Sequence, residues 1–235
     1  MSESEKAGFK VFQAPPPRSY DAKAHLMIHI NSVRDQERIY GPVFPVRMIE
    51  HALRFVAQRI KEEPPGDVKT LDQLAQYLTL KIDKYPTPNC AMMYAQYKTE
   101  NELQGQVGVG RRIGDVQFLR RTDLNAKGDA ERKIDIDKEV TQFWQVSIAL
   151  KMCPIGTGYR KNEDGSFDLL LPNCYYKDGC RQAYKEGLLN RPGGRWICNM
   201  GFSICVFLKA STGYDWESDC VEYDKPHCIV RHHIL

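Results

Sequence analysis

The stretch WICNMGFSICVFLKASTGYDWESDCVEYDKPHCIVRHHIL, residues 196–235, decides the fold class. Its first part, Trp196 to Ser211, is apolar on most sides, which predicts a buried helix. Gly213 stands where helices close in a left-handed residue, a conformation that costs glycine nothing. Tyr214 to Tyr223 reads as a strand. Asp224-Lys225-Pro226-His227 has turn composition, and Cys228 to Leu235 is a final strand. Helix, strand, tight turn and strand in that order imply an antiparallel pair with a helix packed on it.

Working toward the N-terminus, Lys177 to Leu189 predicts a helix, and Arg191-Pro192-Gly193-Gly194 is a break. Gly158-Tyr159 opens a strand, Asp164-Gly165 is a hairpin turn, and Phe167 to Leu171 is the returning strand, ended by Pro172. Lys138 to Leu150 fits an amphipathic helix through Val140, Phe143, Trp144 and Ile148, and fits a strand equally well by alternation. Gln104 to Ile113 holds Gly105, Gly108 and Gly110. A phosphate loop needs a Lys-Ser or Lys-Thr pair after its glycines, and Arg111-Arg112 stands there instead. The third glycine of a dinucleotide fingerprint is also out of place, so a turn or strand is expected. Ala91 to Tyr97 suits helix or strand.

Thr70-Leu71-Asp72-Gln73 has the form of a capping box. Leu71, Leu74, Leu78 and Ile82 then define a helix closed by Pro86 and Pro88. Val46, Ile49, Leu53, Val56 and Ile60 recur at spacings of three and four and predict a helix from about Pro45 to Glu62, stopped by Pro64-Pro65-Gly66. His25 to Ile30 is a short apolar run suited to a strand. Residues 1–19, with Pro15-Pro16-Pro17 and little apolar content, read as a mobile arm. The expected organisation is that arm followed by a single α+β domain over 20–235, an antiparallel sheet with helices packed on it. No internal repeat is visible.

Composition narrows the function classes. The chain has 235 residues, 42% hydrophobic and 27% charged, which is ordinary for a globular protein and excludes collagenous, disordered and disulfide-scaffold classes. Its 33 basic and 30 acidic residues leave a net charge of +3. The signs are interleaved even in the most basic stretch, 111–138, which also holds Asp115, Asp123, Asp129, Glu131, Asp135 and Asp137. That is a solvated loop rather than a nucleic-acid surface. No apolar run approaches the ~18 residues of a membrane span. Met-Ser-Glu-Ser-Glu-Lys at the start has no hydrophobic core, so a cytoplasmic protein is expected.

Chemistry is concentrated near the C-terminus. Of the cysteines Cys90, Cys153, Cys174, Cys180, Cys198, Cys205, Cys220 and Cys228, all but the first lie beyond residue 150. In a reducing compartment such clusters are metal ligands, reactive thiols or small buried hydrophobes. Glu217-x2-Cys220-x7-Cys228 spans the predicted hairpin, whose turn brings the two thiols within reach of one ion. Zinc favours thiolates with a carboxylate or imidazole completing a tetrahedron. Cys198, near the start of the preceding helix, is the best further ligand, and Cys205, two turns on, is the substitute. His227 is an alternative to Glu217. Cys174 and Cys180 suit core packing, a surface thiol or a second metal or redox role. No nucleophile–base–orienter set is visible, and a closed four-ligand site argues for a folding role rather than hydrolysis.

Gly213, Glu217, Cys220, Asp224-Lys225-Pro226-His227, Cys228 and Ile229-Val230 resemble the signature of the 4-vinyl-reductase domain family. That family includes the aromatic-hydrocarbon sensor domains of phenol- and xylene-responsive bacterial activators and is related to a group of vesicle-tethering subunits. The resemblance covers about 60 residues, roughly Asn173 to Leu235. It implies zinc held by Cys198, Glu217, Cys220 and Cys228, a small hydrophobic or aromatic ligand in a pocket beside the metal, and a homodimer. With no output domain visible, a sensor or carrier acting through a partner chain is the expected function, with enzymatic activity left open. Two alternatives are a tetrapyrrole reductase-like enzyme or accessory, and an assembly subunit without a small ligand.

Overall fold

The computed structural model describes residues 8–12, 21–104, 135–149, 156–172, 174–189, 198–223 and 227–235. In chain order the first elements are β1 (Lys10–Val11), α1 (Ala22–Tyr40), α2 (Val43–Ile60), α3 (Leu71–Leu80) and α4 (Pro88–Gln104). There follow α5 (Ile136–Ala149), β2 (Gly158–Lys161), β3 (Phe167–Pro172), α6 (Lys177–Lys185), α7 (Asn199–Thr212), β4 (Trp216–Glu222) and β5 (His227–Ile234). This is an α+β fold with one antiparallel sheet. The backbone groups into two compact units, each assembled from separate stretches of chain. The glycine-bearing stretch 105–113, the break at 191–194, the turn 224–226 and Cys153 lie outside the described residues.

The helical unit comprises Tyr20–Gly114 and Tyr175–Leu189. The run His25 to Ile30, expected as a strand, lies inside α1. Asp21 caps this helix by accepting from the Ala24 backbone N–H at 2.9 Å. Leu26, Ile30 and Val33, at spacings of four and three, are all buried, so the longer helical period outweighs the six-residue run. In α2 the expected Ile49, Leu53 and Val56 are buried, with Phe44, Met48, Ala52 and Phe55 beside them. Val46, placed in that stripe by spacing, is 50% exposed. The helix closes at Lys61, which adopts a left-handed φ of 56°, before the prolines are reached.

Both bonds of the capping box at α3 are present, Gln73 N–H to Thr70 Oγ1 at 3.2 Å and Thr70 N–H to Gln73 Oε1 at 3.0 Å. Ile82 falls beyond its end. Ala91 to Tyr97 is resolved as helix. Pro88 opens α4, where a missing N–H has no intrahelical partner to lose, and 91–97 is buried on every side. α6 stops at Lys185, short of the expected Leu189. It approaches α4 so closely that a Cβ on Gly179 would stand 2.3 Å from the Cys90 carbonyl oxygen. Arg59 donates to Asp178 at 2.6 and 3.2 Å, and Tyr85 Oη donates to the same carboxylate at 2.9 Å.

The sheet unit comprises Met1–Ser19, Asp115–Cys174 and Asn190–Leu235. Its strands lie in the order β1-β2-β3-β5-β4, all antiparallel. Lys10 and Val11, within the stretch expected as a mobile arm, pair with Tyr159 and Gly158. The β2–β3 hairpin is as the sequence predicts, with Gly165 at φ 82° in its turn. Lys138 to Leu150 is resolved as helix as far as Ala149. α7 begins one turn later than expected, capped by Cys198, and ends as predicted with Gly213 in the left-handed region at φ 80°.

The registers give the sheet two distinct faces. Phe167 opposes His232, Leu169 opposes Val230 and Leu171 opposes Cys228, while Ser218 opposes His232 and Cys220 opposes Val230. Side chains alternate along a strand, so these residues share one face. α7 lies against it: a Cβ on Gly201 would meet Val230 Cγ1 at 2.5 Å and Ser218 Oγ at 2.9 Å. Phe143 of α5 meets Phe207 of α7, ring centroids 5.4 Å apart. The core is therefore a helix layer on a sheet face, with Phe167, Leu169, Leu171 and Val230 fully or nearly fully buried. The other face carries Arg160, Asp168, Glu217, Asp219, Arg231 and His233.

Candidate metal centre

Two of the four expected ligands, Cys220 and Cys228, are on the helix-covered face, and a third caps the covering helix. Cys198 is the cap of α7, and its sulfur accepts from the Gly201 backbone N–H at 3.5 Å. Gly201 in turn sits over Val230, whose cross-strand partner is Cys220. Cys228 lies two residues before Val230 on the same face, opposite Leu171. Between Cys220 and Glu222 the pairing slips by one residue, a bulge that leaves Val221 extra and bends β4 toward its end. The Cys220 thiol donates to the Glu222 carbonyl at 3.4 Å.

Desolvation pushes the Cys198 thiol up to about 12. The backbone N–H of Gly201 pulls it down, and the nearby Cys228 raises it further. A helix N-terminus ordinarily lowers a thiol's pKa; here burial wins. Burial therefore favours the neutral form of the Cys198 thiol.

Glu217 is on the opposite face. The spacing Glu-x2-Cys is three residues, and three residues along a strand reverse the side-chain direction. Across the pair Glu217 meets His233, with Oε2 and Nε2 3.7 Å apart. Among the described residues, the group whose potential ligand atoms all lie within 4.8 Å of one another is Glu217, Asp219 and His233, and the cysteines are not part of it. Asp219 and His233 were not singled out as ligands from the sequence. The available signal was the period of two, which puts Asp219 beside Glu217, and the hairpin register, which puts His233 across from it.

The remaining sequence candidates are dispersed. Cys205 is buried in α7, four residues past Gly201. Seven residues of helix separate it from Cys198, roughly 10 Å of rise, so one ion cannot take both. His227 Nε2 stands 3.5 Å from Glu222 Oε1 on the face away from α7. Cys90, buried in the helical unit, donates to the Tyr175 carbonyl at 2.6 Å, and Cys180 lies 3.9 Å from Tyr97 Oη. Both have local partners consistent with packing. His232 is buried and stacked on Phe167, its Nε2 3.3 Å from the Gly201 carbonyl. It ties α7 to β5. No helix among the described residues is long and apolar enough to cross a membrane. No protein-family model, no curated protein and no solved structure matches the chain.

Proposed function

We propose that the sheet unit is a zinc-stapled binding module for a small hydrophobic or aromatic molecule, working as a sensor or carrier through a partner chain. The observation that supports it is the seat of Cys198: it caps α7 directly over the face of β4 and β5 that carries Cys220 and Cys228. Zinc at that seam would take these thiolates, at ~2.3 Å each, and tie the start of α7 to the hairpin. Its binding free energy would then be folding free energy for a helix also held by packing, by the His232 contact and by the Trp216 Nε1–H bond to Thr212 Oγ1 at 3.0 Å. Glu217 is left outside this set by the strand's alternation. The ligand class and a homodimeric state rest on the resemblance of residues 173–235 to the 4-vinyl-reductase domain family.

Elemental analysis with native mass spectrometry tests both parts. The purified protein is expected to carry zinc and to retain a small apolar molecule. Cys220→Ser should lose the zinc and lower the melting temperature, whereas Cys174→Ser should leave the zinc stoichiometry unchanged. A Cys220→Ser protein with undiminished zinc and an unshifted melt would sink the metal assignment. A coloured preparation that binds tetrapyrroles would replace the sensor reading with the tetrapyrrole enzyme.

A further inference from the structure

We propose that the outer edge of β2 is a docking groove for an extended aromatic-basic-x-aromatic segment of a partner chain, and that residues 8–12 of this chain occupy it in cis as a displaceable strap. Among the described residues β1 is the end strand and β2 lies next to it, so β2 becomes the edge once β1 lifts. Lys10 pairs with Tyr159 and Val11 with Gly158, and the Phe12 backbone N–H donates to the Thr157 carbonyl at 3.0 Å. A Cβ on Gly158 would stand 2.8 Å from the Lys10 carbonyl oxygen and 3.1 Å from the Val11 Cα, so this position is left bare for a strand to lie across it. Main-chain pairing of this kind accepts any extended chain, and the side-chain seats choose among them.

The seats read aromatic, basic and aromatic. Phe9 and Phe12 are three residues apart, so they point to opposite faces and grip the edge from both sides. Phe9 is buried, with the Arg160 guanidinium carbon 4.5 Å from its ring centroid. Phe12 stacks on Trp144 of α5 and on Tyr159, centroids 4.6 and 5.2 Å away and planes 16° and 23° apart. Both of these rings are buried. Lys10 sets its Nζ 5.7 Å from the Tyr159 ring centroid. Bonds from Lys161 and Tyr159, and more weakly the charge of Lys10, hold the nearby Asp137 carboxyl below its usual range. A basic residue in the middle of the docked segment is thus attracted and an acidic one repelled. The strap itself is lightly paired. Its ladder is two residues long, against six registered pairs between β3 and β5, so its side-chain seats hold it and a segment offering the same side chains exchanges for it. This edge is the far side of the sheet from β4, and the inference does not rest on zinc.

The probe is a labelled synthetic peptide of residues 7–13, titrated into the full chain and read by fluorescence anisotropy. Phe9→Ala with Phe12→Ala weakens the strap and leaves the groove intact. This double variant is expected to bind the peptide roughly tenfold or more tightly than the wild type, in which the strap competes. A peptide carrying Phe12→Ala should bind the double variant about tenfold more weakly, for want of its stacked ring. Gly158→Val added to the double variant should abolish binding. In the unaltered chain the Phe12 amide should exchange its hydrogen roughly tenfold or more faster than the amides of the β3–β5 ladder. No binding to a double variant with an unchanged circular dichroism spectrum, or equal affinity with and without Gly158→Val, would overturn the proposal, as would a Phe12 amide as protected as that ladder. A wild-type dimer that Phe12→Ala dissolves would give the groove to a second copy and overturn the partner assignment.

Discussion

Asp168 is the residue whose charge state the sheet unit has built most around. Its side chain is 1% exposed, yet it accepts from Arg231 at 2.8 and 3.2 Å, from Arg160 at 2.8 Å and from Asn162 at 3.2 Å. Burial alone would raise its pKa; the bonds from Arg231, Arg160 and Asn162 outweigh that and hold it below the usual carboxylate range. The folded state therefore binds this proton less readily than the unfolded chain. The stabilisation is complete above the ordinary aspartate range near pH 4 and is lost as pH falls through the lower folded value. Asp168→Asn should cost about 1–3 kcal/mol at pH 6, since charge-assisted bonds become neutral ones. It should also lose less stability than the wild type between pH 5 and about pH 2.5. Urea melts at several pH values would read this, and identical acid limbs in the two proteins would show that other carboxylates carry the effect.

At the scale of elements, two close approaches decide how helices dock. Gly201 holds α7 against β4 and β5, and Gly179 holds α6 against α4. Both sit in helices where alanine ordinarily gains about 1 kcal/mol over glycine. Here the added methyl would meet Val230 and Ser218, or the Cys90 backbone, inside normal contact distance. Gly201→Ala and Gly179→Ala are expected to destabilise by about 1–3 kcal/mol, reversing the sign of the propensity. Gly179→Ala should be the worse, because its obstacle is a backbone carbonyl that cannot change rotamer. Denaturant midpoints are the measurement, and a stabilised Gly179→Ala would show that α6 can lift without cost.

At the scale of the molecule, the proposed zinc would tie together chain from both ends of the α7–β5 segment. Metal removal at pH 7 is expected to lower the melting temperature of the protein. Added zinc should restore the folding stability by roughly 2.7 kcal/mol when its free concentration is about 100 times the dissociation constant. Chelation should not change the melt of Cys220→Ser. A wild-type melt indifferent to both chelator and zinc would mean that packing and side-chain hydrogen bonds secure α7 without a metal.

Local chemistry was legible in the residues. The Thr70 capping box, the Gly213 terminus, the Asp164-Gly165 hairpin and the pairing of β4 with β5 are each written in a few consecutive positions, because their hydrogen bonds close within those positions. The α+β class followed from them. Short apolar runs were not decisive. His25 to Ile30 and Ala91 to Tyr97 became helix because burial along a longer period outweighed the local pattern, and Val46, placed in the stripe by spacing alone, is 50% exposed. The candidate site divided the same way. The sequence showed which residue types were present and that the hairpin would gather them. Only the strand register and its alternation set Cys220 and Cys228 under α7 and turned Glu217 to the other face with Asp219 and His233, since which side of a sheet a residue faces is fixed by pairing with a distant strand and not by its neighbours in the chain.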